Sequence, residues 1–260
     1  MSDNHTDVLV SFDGPVATVE INKPPHNFFS IALIRELADV FEDLESDRRC
    51  HAIVLAASGT AFCAGADFSN REATPPQRSP RGLNPIYDQA LRMFACTKPV
   101  VAAVHGSAVG GGLGLALVAD FRVTCAEAKF SANFNRLGFH PGFGLSVTLP
   151  RLIGTQQAAL LFYTGRRIAG AEAVAIGLAD VLVAQDQVRA EAAKLAREIA
   201  ISAPLAVQST RATLRAGLVE QIRLAVARES AEQNAQFKTA DFKEGVAAMA
   251  ERREPQFKGE

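Results

Sequence analysis

The sequence carries no excess of charge of either sign. Its 260 residues contain 27 Lys and Arg against 28 Asp and Glu, which gives a formal net charge of −1. Without a basic excess, the chain has no electrostatic attraction to nucleic acid or to an anionic membrane, and we expect it to bind neither. Any anionic ligand must therefore be held by groups placed locally around it.

Cysteines and long apolar runs are also scarce. The four cysteines, Cys50, Cys63, Cys96 and Cys125, show no C-x-x-C pair and no Cys/His spacing typical of a metal site. We therefore expect no metal and reduced thiols. The N-terminus is polar and acidic, unlike a secretion signal, and Gly, Asp or Arg interrupts each apolar run before it reaches the length of a membrane span. These absences predict a cytoplasmic protein.

Three well-known nucleotide and hydrolase signatures are missing as well. The glycines within residues 110–114 do not fit the G-x-G-x-x-G spacing of a dinucleotide site. No Gly is followed by Lys and then Ser or Thr, as a P-loop requires. No G-x-S-x-G occurs either, which argues against an α/β-hydrolase.

Strand and helix signals alternate along the first half of the chain. β-rich runs at residues 8–12 and 16–21 flank a turn sequence and predict a hairpin. Ser30 is placed to cap a helix whose apolar residues recur with the 3.6-residue period. We predict further strands at residues 52–56, 100–104 and 120–125 and a further helix at residues 88–96. A glycine-rich turn at residues 106–112 is expected to open an apolar helix that runs through residue 118. This order predicts an α/β fold with largely parallel strand pairing.

A polar segment and a helical end complete the chain. Residues 69–85 are polar and rich in proline, and predict a long, mobile surface loop whose only carboxylate is Glu72. Beyond Gly170 the composition shifts, and amphipathic helices are predicted at residues 187–201, 204–218, 220–237 and 242–250. Their broad apolar faces indicate packing against another subunit.

Two glycine-rich segments each follow a predicted buried strand. Residues 59–68 read GTAFCAGADF, and residues 98–114 read KPVVAAVHGSAVGGGLG. Small residues let a ligand approach the backbone closely, and a glycine run that opens a helix exposes N–H groups suited to an anion or a developing oxyanion. Taken alone, either segment could be only a tight turn or a packing contact.

Together, the two segments closely resemble the signature segments of the enoyl-CoA hydratase/isomerase superfamily, also called the crotonase superfamily. The resemblance extends over nearly the whole chain, at residues 21–30, 126–130, 137–138, 141–142, 151–154, 164–168, 175–178 and 257–258. It implies an α/β crotonase (ClpP/crotonase-like) fold, a spiral of ββα units with a C-terminal helical trimerisation region. We place the spiral core and its acyl-CoA site in residues 1–200 and the oligomerisation region in residues 201–260. Self-association as a trimer or a dimer of trimers is also implied.

The resemblance further implies acyl-CoA chemistry of the kind used in fatty acid metabolism. The oxyanion-hole donors would be the N–H groups of Ala66 and Gly111, which polarise the thioester carbonyl. Coenzyme A would enter as part of the substrate, with no permanently bound cofactor. The candidate residues for binding its CoA part are Lys23, His26, Ala64, Gly65, Asp67 and Lys258. Alternatively, Asp67 caps the following turn, and the two lysines are only solvated surface charges.

The sequence departs from this family at both catalytic glutamates. Gly114 stands at the position of the first glutamate and Phe134 at the position of the second. Gly142 and Phe143 stand where other members place a carboxylate. Neither glycine nor phenylalanine transfers a proton, so hydration by a pair of glutamates is not expected. Gly114, Phe134, Phe139 and Phe143 instead predict an apolar substrate pocket.

Other polar residues are candidates to replace the glutamates. His140 lies in the loop beside the expected pocket and is a candidate general base, with a packing role as the alternative. Asn133 and Asn135 flank Phe134 and are candidates to orient a water. His105 follows a buried strand and is interpreted as structural.

Two functions follow from the sequence. One is an enzyme with hydratase, isomerase or related lyase chemistry that passes through a thioester enolate. The alternative is a protein that binds or carries acyl-CoA without catalysing proton transfer, which the apolar Phe134 favours.

Overall fold

The computed structural model describes residues 7–67 and 84–260. The strands in these ranges are β1 (Val8–Asp13), β2 (Val16–Ile21), β3 (Ala52–Ala57), β4 (Ala61–Cys63), β5 (Val100–Val104), β6 (Ser107–Val109), β7 (Phe121–Thr124), β8 (Lys129–Ser131), β9 (Arg167–Ala169) and β10 (Val181–Leu182). The helices there are α1 (Ile31–Ser46), α2 (Pro85–Ala95), α3 (Gly111–Ala116), α4 (Leu145–Thr164), α5 (Gly170–Ala175), α6 (Val188–Ala200), α7 (Pro204–Leu214), α8 (Leu218–Gln236) and α9 (Ala240–Glu251). Most of the predicted loop at residues 69–85, with Glu72, lies outside the described residues.

The larger sheet has six strands in the order β1-β2-β3-β5-β7-β10. β1 and β2 form the predicted antiparallel hairpin, and the remaining neighbours in this sheet pair in parallel. β3 and β5 are buried along their whole length, as expected for strands covered on both faces. The predicted α/β class with largely parallel pairing is therefore confirmed.

A second, smaller sheet joins β4, β6, β8 and β9 in that order. β4, β6 and β8 pair in parallel, and β9 is antiparallel to β8. This sheet was not predicted, because each of its strands has three residues, too few to show a periodic signal. This sheet positions the candidate site, because the two glycine-rich turns follow β4 and β6, and these two strands are neighbours in it.

Capping explains where the first helices begin. The Ser30 Oγ accepts a hydrogen bond of 3.2 Å from the Leu33 N–H, as predicted for α1. α2 begins at Pro85, earlier than the predicted residue 88, because the Asn84 Oδ1 accepts a hydrogen bond of 3.0 Å from the Ile86 N–H. α3 ends at Ala116 rather than at residue 118.

The helical C-terminal end was predicted with small errors at its boundaries, whereas α4 and α5 were missed. α6 packs on β3, β5 and β7, α8 packs on α2 and α4, and α9 packs on the short turn at Asn135–Leu137. Asp120, before β7, accepts hydrogen bonds of 2.8 Å from Arg211 and Arg215 and so fastens the end of α7 to the sheet.

The division of the chain at residue 200 into a spiral core and an oligomerisation region stays a prediction. None of the helices in the described ranges combines the length and the apolar composition needed to cross a membrane.

Candidate functional site

The turns that follow β4 and β6 touch each other at two glycines. Gly65 and Gly110 have φ angles of +83° and +56°, in the region that glycine adopts most readily. A Cβ atom on Gly65 would lie 2.7 Å from the Val109 carbonyl oxygen and 3.7 Å from the Gly111 nitrogen. The backbones that carry the Ala66 and Gly111 N–H groups are therefore adjacent, which requires the absence of a side chain at position 65.

The segment before α1 holds the first of these turns in place. The Phe29 N–H donates a hydrogen bond of 3.1 Å to the Gly65 carbonyl, and Phe29 pairs with Ala66 in a parallel bridge. The Ala64 N–H donates in the same way to the His26 carbonyl, at 3.0 Å. Because the pairing uses the carbonyl of residue 65, the Ala66 N–H is directed away from Phe29.

Asn27 ties this segment to the sheet, a role that sequence reasoning missed. Its side chain is fully buried, and its Nδ2 donates hydrogen bonds of 2.6 Å and 2.8 Å to the carbonyls of Ser58 and Ala61. The backbone of Asn27 has φ +52°, a left-handed conformation in which Asn is enriched. The only sequence signal for this role was the residue type, an asparagine within the segment PPHNFF at residues 24–29.

Close packing explains why the second turn is built from glycines. A Cβ atom on Gly111 would overlap the Phe29 ring, and one on Gly112 would overlap the Cys63 carbonyl. The Gly110 N–H donates to the Ser131 carbonyl at 2.8 Å, which joins this turn to β8. Burial raises the pKa of the Cys63 thiol to about 12, so this cysteine is a neutral packing residue behind the turns.

A cavity of about 570 Å³ lies in front of both turns. Of the predicted site residues, its wall contains His26, Ala64, Gly65, Ala66, Asp67, Gly111, Phe134 and Phe139. Apolar residues that complete the wall include Phe28, Phe29, Ile86, Leu137, Phe237 and Met249. The wall also contains the polar residues Asn84, Tyr87, Asn133, Arg167 and Gln233. A cavity with mostly apolar walls and few polar groups is typical of a ligand site.

Within the described ranges, five predicted residues lie outside that wall: Lys23, Gly114, His140, Phe143 and Lys258. The Lys23 ammonium pairs with Asp7 at 3.2 Å, and the Lys258 N–H donates to Asp241 at 2.7 Å. The Nδ1 atom of His140 lies 2.7 Å from the Pro141 carbonyl oxygen. The predicted roles of Lys23 and Lys258 in CoA binding and of His140 in proton transfer therefore find no support in the geometry and stay predictions. The placement of Gly114 and Phe143 in the substrate pocket stays a prediction as well.

Positions 114 and 134, which the resemblance assigns to the two glutamates, are packed against phenyl rings in the structure. A Cβ atom on Gly114 would lie 2.8 Å from the Phe143 Cβ, so Phe143 fills the space of a side chain at position 114. Phe143 is fully buried and has φ +63°. Phe134 is 5% exposed and packs edge-on against Phe139, with ring centroids 5.5 Å apart.

Two more predicted residues lie at the edge of the first turn. The turn that Asp67 was predicted to cap falls in residues 68–83, outside the described residues, and Asp67 itself is exposed. The ring of His26 packs edge-on against Phe28, with centroids 5.5 Å apart. The His105 Nε2 lies 3.0 Å from the Gly59 carbonyl oxygen, a contact that fits its predicted structural role.

Comparisons with known proteins cover almost the entire chain. A sequence model of the family described as enoyl-CoA hydratase/isomerase matches residues 11–260. A Mycobacterium tuberculosis protein named as a probable enoyl-CoA hydratase is 37% identical over 254 residues, which cover 94% of this chain and 98% of that protein. The short-chain-enoyl-CoA hydratase of Clostridium acetobutylicum is 33% identical over 251 residues, 95% of each chain. A crystal structure of an enoyl-CoA hydratase/isomerase from Pseudoalteromonas atlantica T6c superposes with a TM-score of 0.88 at 31% identity, covering 97% of this chain and 100% of that one.

Proposed function

The chain belongs to the enoyl-CoA hydratase/isomerase family, and from that premise we propose that it binds an acyl-CoA and stabilises the enolate of its thioester. The Ala66 and Gly111 N–H groups donate to the thioester oxygen. Enolate formation concentrates negative charge on that oxygen, and two fixed donors in a largely apolar cavity stabilise it. Loss of one such donor typically costs about 2.7–4 kcal/mol of transition-state stabilisation.

One observation carries this proposal. The position of a Cβ on Gly65 is 3.7 Å from the Gly111 nitrogen, and both turns face the same cavity of about 570 Å³. Two backbone donors on neighbouring turns can converge on a single oxygen, whereas donors on distant walls cannot. The volume suits the thioester end and a short acyl group of a substrate whose CoA part extends past His26 and Ala64.

The reaction beyond the enolate is proposed only as a class: hydration, double-bond isomerisation or related lyase chemistry. Coenzyme A is part of the substrate, and no resident cofactor is required. We retain the cytoplasm as the compartment, and a trimer or a dimer of trimers as the assembly, as parts of the proposal. Exposed apolar residues on and around α7, including Ile201, Leu205 and Leu214, support self-association there.

A second candidate function is a carrier that binds acyl-CoA without moving a proton. The packing of Phe143 against Gly114 favours it, because a carboxylate at position 114 has no room. Phe134 favours it as well, since a phenyl ring replaces an acid or base in the cavity wall.

The deciding experiment measures binding and enolate formation separately. Calorimetry with butyryl-CoA measures binding, and mass spectrometry after incubation in D₂O measures exchange of the protons at the α-carbon. An absorbance assay with crotonyl-CoA measures hydration. Exchange or hydration supports the enzyme, binding without either supports the carrier, and failure to bind any acyl-CoA overturns both.

A further inference from the structure

We propose that the acyl cavity continues into a cleft lined by arginines, and that this cleft binds a carboxylate at the far end of the acyl chain. The inference rests on the proposed function and deepens it, because it names the substrate class as the CoA thioester of a dicarboxylic acid. It is carried by a cluster of positive charges that neither the oxyanion turns nor the family resemblance predicted.

The arginine cleft has a volume of about 390 Å³ and adjoins the cavity. Its four arginines are Arg136, Arg166, Arg167 and Arg253. Arg167 lines the cavity as well, and so do three other residues of the cleft wall, Asn133, Leu137 and Met249. Because the two spaces share these walls, an acyl chain in the cavity can reach the cleft.

Two of the four arginines are already paired with carboxylates. The Arg166 guanidinium lies 3.1 Å from the Glu172 carboxylate. Arg253 pairs with both Glu244 and Glu251, at 2.5 Å in each case. The charges of these two arginines are therefore largely balanced before any ligand binds.

The other two arginines, Arg136 and Arg167, provide the attraction for an anion. Among the described residues, neither has a carboxylate within ion-pair distance. Glu254 is the one carboxylate that these residues contribute to the cleft wall, and a single negative charge does not balance two positive ones. A cleft lined by one sign of charge attracts the opposite sign, and a guanidinium binds a carboxylate through two parallel hydrogen bonds.

The turn before β9 holds both of these arginines. Gly165, in that turn, has φ +57°, and a Cβ atom there would overlap the Arg136 Cγ. The stem of Arg136 therefore packs directly on the turn, in space that a side chain at position 165 would fill. Arg167 is the first residue of β9, two positions further along the chain. The two unbalanced charges thus belong to segments in contact with each other.

The strand register places Arg167 in line with the oxyanion turn. Val109, the last residue of β6, pairs with Ser131 of β8, and Ser131 pairs with Arg167. Two strand spacings put the backbone of Arg167 roughly 10 Å from that of Val109, which precedes Gly111 by two residues. Val109 and Arg167 both line the cavity. An acyl chain whose thioester oxygen meets the Gly111 N–H can therefore extend across the sheet toward the Arg167 guanidinium.

The position of the cleft favours an acyl carboxylate over a phosphate of the CoA part. In the proposed function the CoA part passes His26 and Ala64, and Ala64 directly follows β4. β4 and β9 are the two outer strands of the smaller sheet. The arginines on the β9 side therefore face the end of the acyl chain.

The test compares thioesters that differ in the group at the end of the acyl chain. Calorimetry with adipyl-CoA and hexanoyl-CoA gives the ratio of their dissociation constants, in which the attraction of any arginine for the CoA phosphates cancels. We expect the wild type to bind adipyl-CoA more tightly. Arg167→Met should reduce this preference by about 10-fold.

Arg48→Met is the matched control, since Arg48 is exposed and lies outside the walls of both spaces in the described ranges. It should keep the wild-type ratio. The inference is overturned if the wild type does not prefer adipyl-CoA, if Arg167→Met retains the full preference, or if Arg48→Met lowers it as much. Equal weakening of both ligands by Arg167→Met would assign this arginine to the CoA phosphates and also overturn the inference. Failure of the wild type to bind either thioester would instead overturn the proposed function.

A shorter pair of ligands tests the distance between the oxyanion turn and Arg167. The carboxylate of succinyl-CoA lies two carbons closer to the thioester than that of adipyl-CoA and falls short of the arginine. We therefore expect a smaller preference for succinyl-CoA over butyryl-CoA than for adipyl-CoA over hexanoyl-CoA. An equal preference in the two pairs would overturn the placement of the carboxylate.

A second variant covers the case in which Arg167→Met does not fold, as judged by circular dichroism. Arg136→Met leaves β9 unchanged and removes the other unbalanced charge. We expect it to reduce the preference for adipyl-CoA by about 3-fold. Retention of the full wild-type preference in Arg136→Met would overturn the inference.

Discussion

The carboxylate of Glu229, in α8, accepts a hydrogen bond of 2.8 Å from the N–H of Gly144, the residue that precedes α4. The same carboxylate accepts hydrogen bonds of 3.1 Å and 2.5 Å from the N–H and the Oγ of Ser146. Gly144 brings no side chain to cap α4, so Glu229 supplies the cap from another helix. This contact fastens α8, and with it Gln233, to the start of α4.

Glu229 should make the stability of the protein depend on pH. Burial raises the pKa of Glu229 above its ordinary value, and the hydrogen bonds from Ser146 and Gly144 only partly oppose this. A raised pKa in the folded state means that the contribution of Glu229 is complete below its unfolded pKa and is lost as pH rises through its folded pKa. Urea unfolding of Glu229→Gln should therefore show less loss of stability than the wild type as pH rises from about 4.3 toward neutrality.

Glu232→Gln is the matched control for this measurement. Glu232 lies on the same helix and pairs with Arg228 at the surface, at 2.6 Å. Its replacement should leave the slope of stability against pH as in the wild type. Equal slopes in Glu229→Gln and the wild type would contradict the assignment to Glu229.

The larger sheet could be predicted from the sequence because each of its main strands carries its own signal. β2, β3 and β5 are runs of five or six residues rich in β-branched and other apolar side chains. The strands of the smaller sheet are three residues long, and β4, β6 and β9 lie beside glycines, where turn signals dominate. Their pairing comes from contacts between distant segments, which a local pattern does not encode.

The site shows the same division between local and distant signals. The glycines at positions 65 and 110 were recognisable because each has an unusual backbone conformation that its own turn requires. Tyr87 and Gln233 meet across 146 residues of sequence. Neither has neighbours that indicate burial in a cavity. His140 was assigned to the site from its position in a loop, but the direction of a loop side chain depends on the contacts of that loop.

The fit between Gly114 and Phe143 can be measured with a double-mutant cycle. A Cβ atom on Gly114 would approach the Phe143 Cβ to 2.8 Å, so Gly114→Ala should destabilise the protein by about 1–3 kcal/mol through overpacking. In a Phe143→Ala background the added methyl finds space, and the cost should fall sharply. Urea unfolding of the four proteins gives the coupling energy. An equal cost in both backgrounds would show that the two positions do not compete for space.

The Ala66 donor can be removed by Ala66→Pro, since proline lacks an N–H. We expect exchange of the α-protons of butyryl-CoA in D₂O to slow by about 10²- to 10³-fold, while the fold is retained in thermal unfolding. Ala66→Gly is the control, because it keeps the N–H and should exchange close to the wild-type rate. Equal exchange in Ala66→Pro and Ala66→Gly would show that this N–H does not stabilise the enolate.

His140→Ala tests the general base that the sequence suggested. The Gln236 Oε1 accepts a hydrogen bond of 2.6 Å from the His140 N–H, and the His140 carbonyl accepts one from Gln233. The ring Nδ1 of His140 lies beside the Pro141 carbonyl. His140 is not among the described residues that form the cavity wall. We therefore expect His140→Ala to leave the rate of α-proton exchange nearly unchanged, measured as for Ala66→Pro. A loss of about 10²-fold or more, the usual contribution of a general base, would mean that the imidazole reaches the substrate after all.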